Sequence, residues 1–332
     1  AVVRDEVSAG VPAYDGARGS VRDQDVLAAY GGFLRSLVDI SGVRPLRVAV
    51  DAGNGMAGHT TPAVLGPVEA LTLLPLYFEL DGSFPNHEAN PLDPSNLKDL
   101  QRYVIATGAD IGLAFDGDAD RCFVVDERGE PVSPSAVTAL VAARELDREP
   151  GATVIHNLIT SRTVPEVIAE HGGVALRSRV GHSYIKALMA ETGAIFGGEH
   201  SAHYYFREFW GADSGMLAAL HVLAALGEQS RPLSALMDEY QRYAASGEIN
   251  FRVDDAPGIV DAVVKSYEPQ AVSVDHLDGV TVDLGDGSWF NLRTSNTEPL
   301  LRLNVESPSV EIVNAIVNRV ADEISARSEA RA

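Results

Sequence analysis

The stretch IGLAFDGDADRCFVVD, residues 111–126, holds three aspartates at alternate positions between two short apolar runs. Apolar runs of this length, bounded by turn residues, predict buried strands, so the acids lie in a tight loop that joins two strands. Like charges so close together repel one another, which favours a hard divalent cation between Asp116, Asp118 and Asp120. Arg121 adds a planar guanidinium, a group suited to gripping phosphate. The loop therefore suggests phosphoryl chemistry.

Three other interpretations of this loop remain open from the residues alone. An EF-hand also has acids at positions one, three and five, and Glu127 would fall at position twelve, but Arg121 stands where that loop needs glycine. Its flanks should also be helices, whereas the flanks here have strand patterns. The second alternative is a phosphatase in which Asp116 is the aspartyl nucleophile. The third is a solvated acidic turn that binds no ligand.

Length and composition limit the classes of protein to consider. At 332 residues the chain is long enough for two or three domains. Its 26 basic and 47 acidic residues give a formal net charge of −21, which argues against binding to nucleic acid or to an anionic membrane. Its one cysteine, Cys122, excludes an intrachain disulfide and is expected to be a small core residue. No apolar run is long enough to span a bilayer, so we expect a cytoplasmic location.

Strand and helix patterns alternate on both sides of the loop, which is typical of α/β domains. The strands LRVAVD and LTLLPLYF precede it, and a helix from Pro94 to Gly108, capped by Ser95, leads into it. A second unit with a similar order of strands and helices follows. From about Asn250 the pattern changes to alternating strands with a turn at residues 285–287 and a terminal helix, which predicts a small α+β domain.

A glycine-rich turn, DAGNGMAG, follows the first strand at residues 51–58. Gly53, Gly55 and Gly58 have the spacing of a dinucleotide-binding turn, so a nicotinamide-dependent enzyme is an alternative class. The helix after the third glycine is short and contains proline, whereas a nucleotide-binding turn needs a long one. We therefore interpret the glycines as permitting a tight strand-to-helix turn.

Two further polar clusters carry candidate binding residues. GGEHSAHYYF, residues 197–206, offers groups suited to hydrogen bonds with sugar hydroxyls, although a buried histidine beside core aromatic residues would give the same pattern. RTSNTEPLLR, residues 293–302, combines two guanidinium groups with hydroxyl and amide donors. It could form a phosphate cradle or a polar surface turn.

Together these stretches resemble the α-D-phosphohexomutase family, and within it the bacterial phosphomannomutase/phosphoglucomutase branch. DAGNGMAG, FPNHEANP, AFDGDADRC, VGHSYIK, GGEHSAHYYF and RTSNTEP occur in the family's order and span nearly the whole chain. The resemblance implies an α/β protein with two doubly wound α/β domains followed by a smaller α+β C-terminal domain around a cleft. We expect these boundaries: 1–20 for the tail of a first domain or linker, 21–131 for the metal-loop domain, 132–247 for the sugar-loop domain and 248–332 for the phosphate-binding domain.

The resemblance also assigns roles to individual residues. Asp116, Asp118 and Asp120 would bind Mg²⁺, Arg121 would hold the transferred phosphate and His182 would act at the cleft. The residues expected to bind the substrate are Glu199, Ser201, Arg293, Ser295, Asn296, Thr297 and Arg302. The sequence departs from many relatives at Ala202 and at Leu158, which leaves the sugar contacts there open.

The activity implied by the resemblance is interconversion of mannose 1-phosphate and mannose 6-phosphate, with glucose phosphates as further substrates. A hexose 1,6-bisphosphate and a phosphoserine would carry the phosphoryl group. The family's serine loop, of the Thr-Ala-Ser-His-Asn-Pro kind, has no counterpart in this sequence, so we expect the chain to be inactive alone. Phosphoglucosamine mutase, phosphoglucomutase and a non-catalytic phosphosugar-binding protein are the alternatives.

Overall fold

The computed structural model describes residues 2–294 and 300–329. It contains three five-stranded sheets, which confirms the predicted fold class of two α/β units followed by a smaller α+β unit. Near the N-terminus, α1 (Val2–Ser8) is exposed throughout, and α2 (Leu27–Leu37) is the first helix that packs on the body of the protein. In the described residues, no helix combines the length and the apolar character needed to cross a membrane.

The first sheet has the strand order β2-β1-β3-β4-β5. The elements of this unit are β1 (Leu46–Asp51), α3 (Ala57–Val64), β2 (Leu71–Leu76), α4 (Lys98–Thr107), β3 (Ile111–Phe115), β4 (Cys122–Val125) and β5 (Pro131–Val132). Strands β2, β1 and β3 are parallel, whereas β4 and β5 continue the sheet in antiparallel fashion. The two predicted strands on either side of the acidic loop are therefore β3 and β4, as expected from their apolar runs.

The predicted helical segment begins at Pro94 as expected, but its predicted cap is wrong. A short 3₁₀ turn at Pro94–Leu97 precedes α4, and Asp93, not Ser95, caps it. The carboxylate of Asp93 accepts a hydrogen bond from the backbone nitrogen of Ser95 at 2.8 Å. A carboxylate one residue before a proline at the first helical position is a favourable cap, because the proline has no backbone N–H to satisfy.

The second sheet repeats the topology of the first, as the similar order of patterns predicted. Its order, β7-β6-β8-β9-β10, has three parallel strands followed by two antiparallel ones. The elements are α5 (Pro134–Arg148), β6 (Thr153–Asn157), α6 (Thr163–Glu170), β7 (Val174–Ser178), α7 (His182–Thr192), β8 (Phe196–Gly198), β9 (Tyr204–Phe206), β10 (Ala212–Asp213), α8 (Gly215–Gly227) and α9 (Leu233–Met237). Helices α5 and α8 are almost entirely buried, and one continuous apolar core joins the first two units.

The third sheet is antiparallel and has its own core. Its elements are β11 (Ala244–Arg252), α10 (Ala256–Tyr267), β12 (Ser273–Asp275), β13 (Val280–Gly285), β14 (Ser288–Thr294), β15 (Leu300–Ser307) and α11 (Val310–Glu329). The strand order is β11-β15-β14-β13-β12, and the predicted turn at residues 285–287 joins β13 to β14. A separate apolar cluster fills the space between this sheet and helices α10 and α11. Partly buried and exposed residues alternate along most of β11, which is typical of a sheet with one covered face.

Candidate active site

The acidic loop, residues 116–121, lies at the edge of the first sheet where its parallel strands end. We call it the metal loop. Asp116 directly follows β3 and is buried, Asp118 is exposed and Asp120 is partly exposed. One carboxylate oxygen from each of the three lies within 4.8 Å of the others. Ligand sites of open α/β sheets form at this carboxyl edge. The structure thus brings together the three residues that the sequence predicts as metal ligands.

The electrostatics of the loop fit a bound divalent cation. Burial, together with the charges of Asp116, Asp118 and Asp213, raises the pKa of Asp120 to about 7. Its Oδ1 atom is buried and has no hydrogen-bond partner in the part of the chain that the structure describes. A cation that prefers oxygen ligands would reduce the repulsion between the carboxylates and would give Asp120 Oδ1 a partner.

Arg121 is held along one edge of its guanidinium group. Its Nε donates to Asp116 Oδ2 at 2.7 Å, and its backbone nitrogen donates to Oδ1 of the same carboxylate at 3.1 Å. Its Nη1 donates to Asn90 Oδ1 at 3.3 Å. These contacts fix the guanidinium beside the metal loop, where a fixed donor can meet charge on a phosphoryl group. Asn90 had no predicted role, and the signal that could have found it is the motif FPNHEANP.

The glycine-rich turn packs directly against the acidic loop. The backbone nitrogen of Met56 donates to the carbonyl oxygen of Gly117 at 2.9 Å. A Cβ atom placed on Gly55 would lie 2.7 Å from that same oxygen, so no larger residue fits there without moving the loop. This close approach explains the second glycine of the motif without a bound nucleotide.

The sugar loop, residues 199–203, follows β8 at the equivalent edge of the second sheet. Glu199 is buried, and three donors surround its carboxylate. They are Tyr205 Oη at 2.7 Å, Asn157 Nδ2 at 3.1 Å and the backbone nitrogen of Gly181 at 3.0 Å. Such hydrogen bonds stabilise and orient a buried carboxylate. Glu199 is therefore a rigid acceptor at the wall of the site and not a solvated surface acid.

His203 connects the sugar loop to the metal loop. Its Nδ1 lies 2.9 Å from the hydroxyl of Ser201, and its Nε2 lies 3.8 Å from Asp120 Oδ1. Its backbone pairs with that of Arg121 in an isolated antiparallel bridge. Burial lowers the pKa of His203, which favours the neutral imidazole at pH 7. The sequence showed this histidine in its motif, but only the fold brings it to the acids.

His182 is exposed at the first residue of α7, immediately after Gly181. It lines the same cavity as the sugar loop. Because the backbone nitrogen of Gly181 donates to Glu199, the start of α7 is tied to the sugar loop. The predicted cleft histidine therefore stands beside the predicted sugar-binding residues.

The third sheet contributes the two predicted arginines. Arg293 on β14 and Arg302 on β15 are directly opposite each other in the antiparallel ladder. Burial lowers the pKa of Arg293, and both guanidinium groups form ion pairs with Glu248. Glu248 had no predicted role. The other predicted members of this cluster, Ser295, Asn296 and Thr297, lie outside the described residues.

One cavity of about 890 Å³ connects these groups. Its volume is in the range of small-ligand sites. The predicted residues along its wall are His182, Glu199, Ser201, Arg293 and Arg302. His203 also lines it, and through this residue the cavity reaches the metal loop. An elongated anionic ligand in this cavity could thus contact the arginines and also approach the metal loop.

Three sequence-family models match the chain in consecutive segments. They are described as phosphoglucomutase/phosphomannomutase alpha/beta/alpha domain II over residues 29–129, alpha/beta/alpha domain III over residues 133–243, and C-terminal domain over residues 248–323.

Full-length relatives agree with these matches. A protein of Xanthomonas campestris named phosphohexose mutases is 40% identical over 307 residues, which are 92% of this chain and 68% of the relative. A phosphomannomutase of Salmonella montevideo is 39% identical and covers 89% of this chain and 66% of its own length. A crystal structure of a phosphoglucomutase/phosphomannomutase family protein from Burkholderia thailandensis superposes with a TM-score of 0.86 at 32% identity, over 98% of this chain and 69% of that one. The chain thus spans about two thirds of the length of these relatives.

Proposed function

Because the chain belongs to the phosphoglucomutase/phosphomannomutase family of isomerases, we propose that it acts in the interconversion of mannose 1-phosphate and mannose 6-phosphate. Relatives named phosphomannomutase at 38–39% identity support mannose as the sugar. Glucose phosphates are the second substrate class, since the family models cover phosphoglucomutases as well. A hexose 1,6-bisphosphate would be the intermediate.

The observation that carries this proposal is the shared cavity. The pair of arginines lines this cavity, and through His203 the cavity borders a cluster of three carboxylates and Arg121. A sugar with a phosphate at each end needs two anion-binding regions of this kind, separated by groups that bind hydroxyls. Arg293 and Arg302 would bind the phosphate that is not transferred.

Asp116, Asp118 and Asp120 are the residues that would hold Mg²⁺. Three oxygen ligands close together suit a hard cation of this size. Bound there, Mg²⁺ would offset the negative charge that spreads over the oxygens of the phosphoryl group during transfer. Arg121, fixed by Asp116 and Asn90, would add a second positive charge beside that group.

His203 is the residue we propose as the proton acceptor. When its Nδ1 donates to the Ser201 hydroxyl, its Nε2 has a free lone pair that faces the metal loop. The attacking sugar oxygen would form a bond to phosphorus while the bond from phosphorus to the carrier oxygen breaks, and the hydroxyl proton would pass to Nε2. Glu199 would accept a hydrogen bond from a sugar hydroxyl and orient the ring.

The phosphoryl carrier is the part of this scheme that the 332 residues do not supply. By the family resemblance it is a serine in a Thr-Ala-Ser-His-Asn-Pro loop, and the printed sequence contains no such loop. We therefore expect these residues alone to bind sugar phosphates without turning them over.

The test is a parallel assay of this chain and of the chain extended through its upstream coding sequence. Both would be given Mg²⁺, a trace of hexose bisphosphate and, separately, mannose 1-phosphate, glucose 1-phosphate and glucosamine 1-phosphate. Isomerisation of the mannose or glucose ester by the extended protein alone supports the proposal. A preference for glucosamine 1-phosphate would replace mannose as the substrate. Binding without turnover in both proteins would favour a phosphosugar-binding role, and turnover by the 332 residues would refute the need for a separate serine.

A further inference from the structure

The two arginines of the third sheet form an unfavourable pair when considered alone. Arg293 and Arg302 are direct cross-strand partners on β14 and β15, and both line the cavity. Like charges directly opposite each other destabilise a sheet. Burial of Arg293 increases this cost, because its charge is partly removed from water. An anion must therefore lie near both groups in the folded protein.

Within residues 2–294 and 300–329, Glu248 contributes a carboxylate that reaches both groups. Its Oε1 lies 3.2 Å from Nη1 of Arg302, and its Oε2 lies 3.5 Å from Nη2 of Arg293. Glu248 is opposite Asn304 in the ladder of β11 with β15, which places it diagonally next to Arg302. One carboxylate thus bridges two guanidinium groups.

The backbone around Glu248 is shaped for this contact. The ladder of β11 with β15 shifts register between Ala245 and Glu248, and Gly247 has a φ of +69°. A bulge of this kind turns the following side chain relative to a regular strand. Asp278 and Glu199 also have an electrostatic effect on Arg293; Asp278 accepts a hydrogen bond from the backbone nitrogen of Val180, and Glu199 accepts one from Tyr205.

The net charge of the two arginines and their anionic partners differs between the free protein and the protein with bound phosphate. The three groups of this bridge, two guanidinium groups and one carboxylate, together carry a net charge of +1. A phosphate dianion would by itself neutralise both arginines, so the carboxylate of Glu248 would then be surplus and would repel it. The same atoms of the arginines cannot pair fully with both anions.

We infer that Glu248 is a placeholder for the ligand's phosphate: it pairs with Arg293 and Arg302 in the free protein, competes with a phosphomonoester for them and so sets the affinity. The inference rests on the proposed function, because it takes the arginine pair to be a phosphate site. Such a competitor keeps a carboxylate beside the two arginines between turnovers and weakens retention of the product. Glu248 also disfavours the binding of small anions, which make no contacts with the sugar loop.

The experiment compares ligand binding by the wild-type chain, Glu248→Gln and Asp261→Asn. Asp261 is exposed on α10, so its variant loses the same unit of charge without touching the arginines. Binding of mannose 6-phosphate and of inorganic phosphate would be measured by calorimetry at pH 7.5. We expect Glu248→Gln to lower both dissociation constants by about tenfold and Asp261→Asn to leave them unchanged.

Thermal unfolding provides the second measurement. Without ligand, Glu248→Gln should have a lower melting temperature than the wild type, because two opposed arginines lose their carboxylate. Added phosphate should restore most of that loss. Tighter binding together with lower stability is not expected of a residue that merely orients the arginines, since its loss would weaken both.

Each other outcome has a definite meaning. Unchanged or weaker binding by Glu248→Gln, with normal binding by the wild type, overturns the placeholder role and leaves the proposed function intact. If the wild type binds but Arg293→Ala binds equally well, the phosphate does not use these arginines, and the inference fails with that part of the site. If neither the wild type nor any variant binds a sugar phosphate, the proposed function fails as well.

Discussion

Replacing His87 by glutamine should remove a pH-dependent part of the protein's stability. His87 Nε2 lies 3.0 Å from Asp51 Oδ2, and its Nδ1 lies 2.9 Å from the carbonyl oxygen of Glu88. Both neighbours only accept hydrogen bonds, so both ring nitrogens must carry protons and the imidazole must be charged. The hydrogen bond to Asp51 is the main cause that raises the pKa of His87 to about 9.

The size of the effect follows from this pKa. A rise from 6.5 to about 9 corresponds to a ceiling of about 3.4 kcal/mol, at about 1.36 kcal/mol for each pKa unit. Because the ring keeps some contact with solvent, we discount this to about 1–2 kcal/mol. The pKa is higher in the folded state, so the contribution is complete below pH 6.5 and is lost as the pH rises through about 9.

This difference would be measured by urea unfolding at several pH values between 6 and 10. The proteins compared are the wild type, His87→Gln and His59→Gln. His59 is exposed on α3 and serves as the matched control. The free energy of unfolding of the wild type should exceed that of His87→Gln at pH 6, and the gap should shrink towards pH 10. An NMR titration of the His87 ring should independently give a pKa near 9. A constant gap across this range, or titration near 6.5, would refute the reasoning.

Three further predictions concern the loops of the site. Gly55→Ala should lower the free energy of unfolding by about 1–3 kcal/mol, since its Cβ would meet the carbonyl oxygen of Gly117 at 2.7 Å, and calorimetry should show weaker Mg²⁺ binding. Asp118→Asn should weaken Mg²⁺ binding at least tenfold and leave the melting temperature nearly unchanged, because this side chain is exposed; normal Mg²⁺ binding would exclude Asp118 as a ligand. Tyr205→Phe should cost about 1–3 kcal/mol in urea unfolding, because Glu199 loses a buried donor at 2.7 Å, and an unchanged stability would show that water replaces the hydroxyl.

The parts of the site that could be predicted from sequence are those in which one short segment contains the whole pattern. The acids of the metal loop are two residues apart, and the flanking apolar runs fix the strands, so neither needs tertiary information. Pairings between distant segments gave no local signal. His203 meets Asp120 across 83 positions, and Glu248 meets Arg302 across 54, and only the packing of the sheets brings them together. The burial of Glu199 was hidden in part for the same reason, since two of its donors, Asn157 at the end of β6 and Gly181 before α7, lie in distant segments.

The repeated topology gives a physical reason for the position of the site. In the first two sheets the third strand, β3 or β8, is followed by a short loop and then by an antiparallel strand. The metal loop ends at Arg121 and the sugar loop ends at His203, so these two residues hold equivalent places in the two units. Their backbones pair with each other, which sets the two loops face to face.

Under the proposed function, phosphoryl transfer and sugar recognition would both depend on this contact between the first two units. The loop of the first unit carries acids and an arginine, and the loop of the second carries a fixed carboxylate and a histidine, His203, whose pKa is lowered by burial. The antiparallel third sheet adds the arginine pair to the wall of the cavity. Because the metal loop and the arginine pair belong to separate units, a bisphosphate could reverse its ends between them without either unit rearranging internally. In the proposed function, the bridge between Arg121 and His203 would then be the fixed reference for both orientations of the sugar.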